Sequence, residues 1–299
     1  MSRYVDFNVE DVTPLVVEAD HPLKQRDFLS PYVWRQGGKF VMLVRSAPRT
    51  IAETGNTGTI HYGESDDGIR FRVYSDPVIA PDECELDLGG CEDPTVTQWN
   101  GEFIVFYTGV DRAHRSGQML YARGPSLHQL TKCGVAYASS ESEGNTKEAT
   151  VERTADGRWR LFFEFARNDA SLVGLALGAD VDGPWTEQPA PFAPRPRGWD
   201  NWHLSTGPLL TSDESMPVMF YNGATRDARW RIGWIAFNRD YTEIVDRCVE
   251  PLVVPPPPQD RGDTDIAFAA SCIAVDEETS HLYFSRADQL LLRAVIRRS

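Results

Sequence analysis

Short apolar runs alternate with turn-forming residues along this chain, and the pattern is typical of β-strands. The runs are rich in Val, Ile, Leu, Phe and Tyr and are too short for amphipathic helices. A turn cluster stands in front of each run, and Asn-Gly and Asp-Gly favour tight hairpins because they tolerate positive φ. The five clusters are Gly37-Gly38, Asn100-Gly101, Asp156-Gly157, Asp213-Glu214 and Glu277-Glu278.

The spacing of these clusters reveals an internal repeat. They recur about every 56 to 64 residues, somewhat longer than the ~40–50 residues of common propeller repeats. A second strand pair follows each hairpin, so one repeat holds four short strands. Four strands in five repeats predict an all-β fold, a five-bladed β-propeller that residues 1–299 form as a single domain. The last repeat is short, and we expect the N-terminal segment to supply its outer strand. Two β-sandwiches would not explain a unit that repeats five times.

The repeat also predicts where a site would form. In a propeller the innermost strand of each blade lines a central channel, so residues near the starts of these strands meet at one mouth. The positions that we expect to converge are Ser30-Pro31, Glu92-Asp93, Lys147-Glu148, Ser205-Thr206 and Ala270-Ser271.

Charge and composition narrow the class of function. The formal net charge of −14 argues against nucleic acid, whose phosphates need clustered Lys and Arg. No apolar run approaches the ~20 residues that span a bilayer, and the N-terminus lacks a secretory pattern. Five scattered cysteines without a CxxC pair fit reduced thiols in the cytoplasm. Six histidines without paired spacing indicate no metal site, and no cofactor is expected.

The most informative segment is GCEDPTVTQWNGEFIVFYTG, from Gly90 to Gly109. Glu92 and Asp93 stand directly before a predicted strand, where an innermost strand enters the channel. Pro94 fixes its own backbone and biases Asp93 toward an extended conformation. Asp93 either caps a turn here or presents its carboxyl group to the channel.

This segment resembles glycoside hydrolase family 130, the mannoside phosphorylases and β-mannosidases with a five-bladed propeller fold. The resemblance runs through most of the chain in an ordered set of stretches. Besides GCEDP, they are FVMLVR (Phe40 to Arg45), YGESDDGIRF (Tyr62 to Phe71), NTKEATV (Asn145 to Val151), APRPRGWDNWHLSTGPLL (Ala193 to Leu210), VMFYNGATRDARWRIGWIA (Val218 to Ala236) and LYFSRAD (Leu282 to Asp288).

The resemblance implies that Asp93 is the catalytic acid of an enzyme that inverts anomeric configuration. Phosphorylases of the family attack the sugar with inorganic phosphate and need cations, whereas hydrolases attack with water and need a carboxylate base. Thr95 stands here where the family commonly has an arginine. Glu164 lies where the phosphorylases have cationic phosphate contacts. Two unit charges 4 Å apart repel by roughly 4 kcal/mol at an effective dielectric of about 20.

Hydrolysis is therefore the favoured reaction, and phosphorolysis with inorganic phosphate as the co-substrate is the alternative. Glu164 and Glu148 are the candidate bases, and Lys147 or Arg167 would keep Glu164 ionised. The partner is a short β-mannoside, and neither nucleic acid nor a membrane is expected.

The substrate contacts extend beyond these residues. The loop with Trp199, Asp200, Trp202 and His203 suits sugar binding, because sugars present apolar C–H edges together with hydroxyl groups. The resemblance implies that Asp288 holds the sugar at the cleaved position. The expected substrate-binding set is Arg45, Glu92, Asp111, Lys147, Trp202, His203 and Asp288.

Two further interpretations remain open from the sequence. A non-catalytic sugar-binding propeller predicts that Asp93→Asn changes nothing measurable. A related propeller that acts on arabinosides or fructosides predicts a different substrate profile.

Overall fold

The computed structural model describes residues 5–82, 85–257 and 265–299. Cys84 of the cysteine pattern lies outside these ranges. Within them the chain forms β-strands and two 3₁₀ helices, Leu23–Gln25 and Ile51–Glu53, and no α-helix. The all-β prediction is confirmed. The described part of the chain contains no helix with the length and apolar character needed to cross a bilayer.

Following the sequence repeat, the strands can be grouped into five units. Units 2 and 3 join in one eight-stranded sheet through the parallel pairing of Thr146 with Gln118, and unit 4 is divided between two sheets. The chain begins with β1 (Phe7–Pro14) and β2 (Val16–Ala19). Unit 1 contains β3 (Asp27–Gln36), β4 (Lys39–Ala47), β5 (Thr59–Ser65) and β6 (Arg70–Ile79), with β2 parallel to β6. Unit 2 contains β7 (Gly90–Trp99), β8 (Glu102–Val110), β9 (Gly117–Gly124) and β10 (Thr131–Tyr137). Unit 3 contains β11 (Thr146–Arg153), β12 (Trp159–Arg167), β13 (Ala170–Gly178) and β14 (Trp185–Gln188).

Unit 4 has the same path, but its strands are broken into short pieces. They are β15 (His203–Ser205), β16 (Leu209–Leu210), β17 (Val218–Met219), β18 (Asn222–Ala224), β19 (Trp230–Ile232), β20 (Ile235–Phe237) and β21 (Ile244–Arg247). One break lies at Gly207, where an added Cβ would meet the Phe220 carbonyl oxygen at 1.9 Å. Only glycine permits two backbones to approach this closely.

Unit 5 is completed by the N-terminus. It contains β22 (Ala267–Ala274), β23 (Thr279–Arg286) and β24 (Leu290–Arg298), and β1 pairs antiparallel with β24. The prediction that the N-terminal segment supplies the outer strand of the last repeat is confirmed.

Hydrogen bonds join each unit to the next and unit 5 back to unit 1. They run from Tyr32 Oη to Val96 O (3.1 Å), Thr95 Oγ1 to Ala149 O (2.7 Å), Thr150 Oγ1 to Gly207 O (2.9 Å), Ala269 N to Asn222 Oδ1 (2.7 Å) and Ser271 Oγ to Pro31 O (2.8 Å). Because these bonds come from the first strands or their neighbours, the five first strands surround a common space.

Apolar side chains pack between neighbouring units. On β4, Val41 and Leu43 pack with residues of unit 2, whereas Met42 and Val44 pack with residues of unit 5. Successive side chains of a strand point to opposite faces, and both faces of this sheet are covered. The uninterrupted apolar runs of the sequence therefore reflect strands that are buried on both sides.

Candidate active site

A cavity of about 140 Å³ lies between the first strands of the five units. Its lining residues include Ser30, Asp93, Glu148, Thr206 and Ala270. The end of the cavity that holds Asp93 and Glu148 is called the upper end. One member of each predicted position pair is among them, so the predicted convergence of the five repeats is confirmed. The side chains meet although they are up to 240 residues apart in sequence, as the bond from Ser271 to Pro31 illustrates.

Local backbone geometry aims three of these side chains into the cavity. The strand register shifts between Leu29 and Tyr32 in β3, between Glu92 and Thr95 in β7, and between Lys147 and Ala149 in β11. Such bulges bend a strand and redirect a side chain.

The residues at the three bulges share one unusual conformation. Ser30, Asp93 and Glu148 have φ of 51°, 48° and 51°, which few non-glycine residues adopt. We predicted an extended Asp93 from Pro94, and this prediction is wrong. The bulge places Asp93 in the left-handed region instead. Such conformations cluster at functional sites, where the surrounding structure maintains them.

Asp93 has hydrogen-bond donors and a cation close to its carboxyl group. The Ser30 hydroxyl donates to Oδ1, and Arg45 Nη1 lies 3.9 Å from the same atom. Its side chain is 13% exposed. Burial alone would raise the pKa of Asp93, but the Arg45 guanidinium and a hydrogen bond from Glu148 hold it below its usual range. The free protein therefore presents Asp93 largely as a carboxylate.

Glu148 occupies the equivalent position on the neighbouring first strand. Its carboxyl group is hydrogen-bonded to that of Asp93. Burial and the negative charge of Asp93 raise the pKa of Glu148 well above its usual range, and nearby Lys147 only partly offsets them. The two carboxyl groups therefore form a pair in which Glu148 donates and Asp93 accepts.

Arg45 and Glu92 form a second charged pair beside Asp93. Arg45 Nη2 lies 2.5 Å from Glu92 Oε1 and also donates to the Thr57 carbonyl oxygen at 3.1 Å. The Thr57 hydroxyl donates to the same Glu92 oxygen. Burial raises the pKa of Glu92, while the Arg45 guanidinium opposes the rise. Asp288 lies close enough to Arg45 for their charges to attract each other, and both residues line an adjoining cavity of about 370 Å³.

Lys147 and Glu164 form a third pair on the unit 3 side. Lys147 Nζ lies 3.6 Å from Glu164 Oε1, and the Glu164 side chain is only 5% exposed. Glu164 sits on β12, one strand farther out than Glu148, and is paired in register with Lys147. Its charge raises the pKa of Lys147. The expected partner Lys147 is confirmed, whereas Arg167 pairs with Glu141 instead.

Trp202 lies on the loop that leads into unit 4, and His203 is the first residue of β15. Trp202 Nε1 donates to the Asp169 carbonyl oxygen at 3.0 Å, and the Arg226 guanidinium lies 4.5 Å from its ring centre. The His203 ring accepts a hydrogen bond from the Ser171 backbone N–H, and burial lowers its pKa. Its proximity to Glu164 places this loop near the charged residues of unit 3.

The two other candidates on this loop are packed inside the protein. Trp199 stacks on Tyr221 with ring centres 5.4 Å apart. Asp200 is fully buried and ion-paired with Arg195 at 2.8 Å and Arg247 at 2.5 Å. A carboxylate enclosed in this way holds the loop in place and presents no group to a sugar.

Asp111 is engaged in a turn. Its carboxylate accepts hydrogen bonds from the Arg115 N–H at 3.0 Å and the Ser116 hydroxyl at 2.7 Å. A contact between Asp111 and substrate stays a prediction.

Two hydroxyl groups near the carboxylates were absent from the predicted binding set. Ser30 precedes Pro31 as Asp93 precedes Pro94, so the repeated X-Pro pattern was a signal for Ser30. Thr57 lies in the loop between β4 and β5 and has no such signal, because its contact with Glu92 depends on how two units pack.

The site as a whole carries more negative than positive charge. Its cations are Arg45 and Lys147, and its carboxyl groups are Glu92, Asp93, Glu148 and Glu164. Among the described residues, no group of three or more His, Cys, Asp or Glu side chains is arranged to hold a metal ion. The arrangement can donate a proton, accept one and bind hydroxyl groups.

Comparison with known proteins agrees with this chemistry. The family described as β-1,4-mannooligosaccharide phosphorylase matches residues 18–294. A 1,2-β-oligomannan phosphorylase from Thermoanaerobacter sp. (strain X514) is 23% identical over 240 residues, which cover 79% of this chain and 77% of the relative.

Solved structures show the same fold. The β-1,2-mannobiose phosphorylase from Listeria innocua, in complex with β-1,2-mannobiose, superposes with a TM-score of 0.76 at 18% identity, over 98% of this chain and 97% of that one. Another solved structure is described under the family's glycoside hydrolases that target β-1,2-mannosidic linkages in Candida mannan. It superposes with a TM-score of 0.74 at 22% identity, over 90% of this chain and 84% of that one. The chain therefore belongs to glycoside hydrolase family 130, an enzyme family of mannoside phosphorylases and glycoside hydrolases.

Proposed function

We propose that this enzyme is an inverting glycoside hydrolase that cleaves β-mannosidic linkages in short oligosaccharides. It works as a single five-bladed β-propeller domain, in which the five units are the blades. The cyclic hydrogen bonds between units and the shared cavity support this architecture. The four described cysteines, Cys91, Cys133, Cys248 and Cys272, are free thiols, which suits the proposed cytoplasmic location.

Asp93 is the general acid and Glu164 the general base in this proposal. An inverting glycosidase keeps its two carboxyl groups about 6.5–9.5 Å apart so that a water molecule fits between them. Glu148 is hydrogen-bonded to Asp93 and leaves no such room. Glu164 lies one strand farther out and has Lys147 beside it. This difference in position supports Glu164 over Glu148 as the base.

The reaction then needs two proton transfers. Asp93 gives a proton to the glycosidic oxygen as the bond to the anomeric carbon breaks. Glu164 takes a proton from the water that attacks that carbon from the opposite face, and the product is α-mannose. Arg45, Glu92 and Asp288 bind the hydroxyl groups of the sugar whose bond is cleaved.

Both cations of the site are already paired, and this supports water over phosphate as the attacking group. Arg45 contacts Glu92 at 2.5 Å, and Lys147 contacts Glu164 at 3.6 Å. Each negative charge of a phosphate ion 4 Å from Glu164 would meet a repulsion of roughly 4 kcal/mol at an effective dielectric of about 20. That repulsion lowers affinity by on the order of a thousandfold.

Phosphorolysis is the second candidate, and two observations favour it. The relatives named above include two phosphorylases, and the Lys147 side chain keeps 34% of its surface exposed. In that reaction inorganic phosphate replaces water, Lys147 and Arg45 contact it, and the product is α-mannose 1-phosphate.

Product analysis separates the two reactions. The enzyme is incubated with β-1,2- and β-1,4-mannobiose, with and without inorganic phosphate, and the products are followed by NMR. We expect α-mannose at the same rate in both conditions. Release of α-mannose 1-phosphate that depends on phosphate would replace the hydrolase proposal. Arabinosides and fructosides serve as controls for the related propeller activities.

A further inference from the structure

We infer that Glu148 is a positioning residue that stores the proton which Asp93 delivers to the leaving sugar. The inference rests on the proposed role of Asp93 as general acid and assigns Glu148 to the acid side of the reaction. The first observation that carries it is geometric. Asp93 and Glu148 occupy equivalent left-handed bulges on neighbouring first strands, and both line the same cavity.

The second observation is that Asp93 cannot keep a proton by itself. Its carboxyl group receives hydrogen bonds from Ser30 and Glu148, and Arg45 lies 3.9 Å away. All three contacts favour the carboxylate. A general acid held in this state at neutral pH would be unloaded when substrate binds.

The third observation is the burial of Glu148 beside another acid. Two carboxyl groups in contact bind one proton much more tightly than a second, because their like charges repel each other. The charged and titratable groups facing the pair are Arg45 on β4, Glu92 on β7, Lys147 on β11 and Glu164 on β12, together with the Ser30 hydroxyl on β3. Asp288, after β23, lies near Arg45. The positive groups among them are ion-paired, so the pair keeps one proton at neutral pH.

The proton balance of the reaction is complete with this pair. In the free enzyme the proton resides on Glu148 and is hydrogen-bonded to Asp93. It passes to Asp93, then to the glycosidic oxygen as the C–O bond breaks, and the pair is left with two negative charges. Glu164 has meanwhile taken one proton from water. After product release, Glu164 loses its proton to solvent and the pair takes one up.

The pH dependence of Glu148→Gln tests this inference. The amide keeps the size and the donor but holds no transferable proton, so Asp93 titrates alone beside Arg45. We expect the basic limb of kcat against pH to move to lower pH by about two units. Activity at pH 5 stays within about tenfold of the wild type, and activity at pH 8 falls by about a hundredfold. Glu148→Asp, which keeps a carboxyl group, moves the limb less.

A matched control lies on the same strand. Glu152 lines the far end of the same cavity, and Glu152→Gln leaves the basic limb in place. An unchanged limb in Glu148→Gln overturns the inference. Equal loss at every pH, with turnover restored by azide or formate, also overturns it, because Glu148 would then be the base. Circular dichroism checks that each variant is folded. If Glu148→Gln is not folded, the smaller shift of the basic limb expected for Glu148→Asp is measured instead.

Asp93→Asn distinguishes this inference from the proposed function. If Asp93→Asn keeps its activity, the assignment of the acid is wrong and the proposed function fails. If Asp93→Asn is inactive while Glu148→Gln has the wild-type pH profile, the role of Glu148 alone is wrong.

Discussion

The central cavity is lined by all five units, and the carboxyl groups at its two ends have different surroundings. At the upper end, Asp93 and Glu148 contact each other and lie next to Arg45 and Lys147. At the far end the Glu152 side chain forms no hydrogen bond or ion pair with another described residue, and it also lines a separate cavity of about 90 Å³ beside Glu214. Burial, together with the charge of Glu214, raises the pKa of Glu152 to about 7.

This comparison separates two causes of a raised pKa. Glu148 and Glu152 stand on one strand, yet Glu148 is held in a hydrogen-bonded pair, whereas the pKa of Glu152 is raised by burial and the charge of Glu214 without such a partner. A perturbed pKa is therefore weak evidence of catalysis until the partners of the group are known. The left-handed bulges lie at the end where we propose that catalysis takes place, whereas Glu152 lies in regular strand.

The largest expected effect is that of Asp93→Asn on the rate. Asparagine has nearly the same shape and tolerates the left-handed backbone, so the fold is kept while the proton donor is lost. We expect kcat on β-mannobiose to fall by about a thousandfold, with Glu152→Gln close to wild type as the matched carboxyl-to-amide control. Steady-state kinetics with thermal melts tests this. Comparable losses in both variants would remove the functional difference between the two ends.

Removal of Lys147 tests the charge compensation at the upper end. Lys147→Met leaves the buried Glu164 carboxylate without its ion pair, and breaking a buried pair is strongly destabilising. We expect the free energy of unfolding to fall by about 3 kcal/mol, measured by urea denaturation. Lys39→Met, which breaks the exposed pair with Glu64, is the control and should cost much less.

The double variant Lys147→Met/Glu164→Gln decides the cause of this loss. If the unpaired carboxylate is responsible, replacing it with an amide restores most of the stability. A double variant as unstable as Lys147→Met alone would point to lost packing of the lysine side chain instead.

Much of the architecture was readable from sequence because it is local. The turn at Asn100-Gly101 has positive φ at both residues, as a tight hairpin requires. The apolar run after it forms β8, and the EDP segment forms the start of β7. Hairpin and strand signals depend on neighbouring residues, and the repeat made them visible five times.

The pairing of side chains across units was not readable in the same way. The link between Glu148 and Asp93 depends on two bulges 55 residues apart. No local signal predicts a register shift at both. Of the two cations expected beside Glu164, Lys147 is its partner, whereas Arg167, three residues along the same strand and so on the opposite face, pairs with Glu141. The sequence identified the candidate acids, whereas the different roles that we propose for them depend on contacts seen only in the structure.

At the far end, Glu152→Gln should stabilise the protein at high pH. The folded-state pKa of Glu152 is about 7, above the ordinary value of 4.5. The folded state therefore binds more protons between these values, and stability falls as pH rises from about 4.5 to 7. One pKa unit corresponds to about 1.4 kcal/mol. With allowance for partial exposure, we expect a gain of about 2 kcal/mol at pH 8 and almost none at pH 4.

Urea denaturation of the wild type and Glu152→Gln at both pH values tests this. Glu214→Gln, which removes only the neighbouring charge, should give a smaller gain with the same sign. Equal stability of the wild type and Glu152→Gln at pH 8 would mean that water solvates Glu152, and that the two ends of the cavity do not differ in desolvation.

The smallest expected effect belongs to Trp202, which the sequence predicts to contact the sugar. Its ring is held by a hydrogen bond to the Asp169 carbonyl oxygen and by the Arg226 guanidinium over one face. We expect Trp202→Ala to raise KM about fivefold, or about 1 kcal/mol, with little change in kcat, because the aromatic face binds sugar equally before and during bond cleavage. Trp202→Phe keeps such a face and should recover most of the affinity. A fall in kcat at constant KM would instead make Trp202 part of the reacting centre, and the catalytic end that we propose would then extend to this loop.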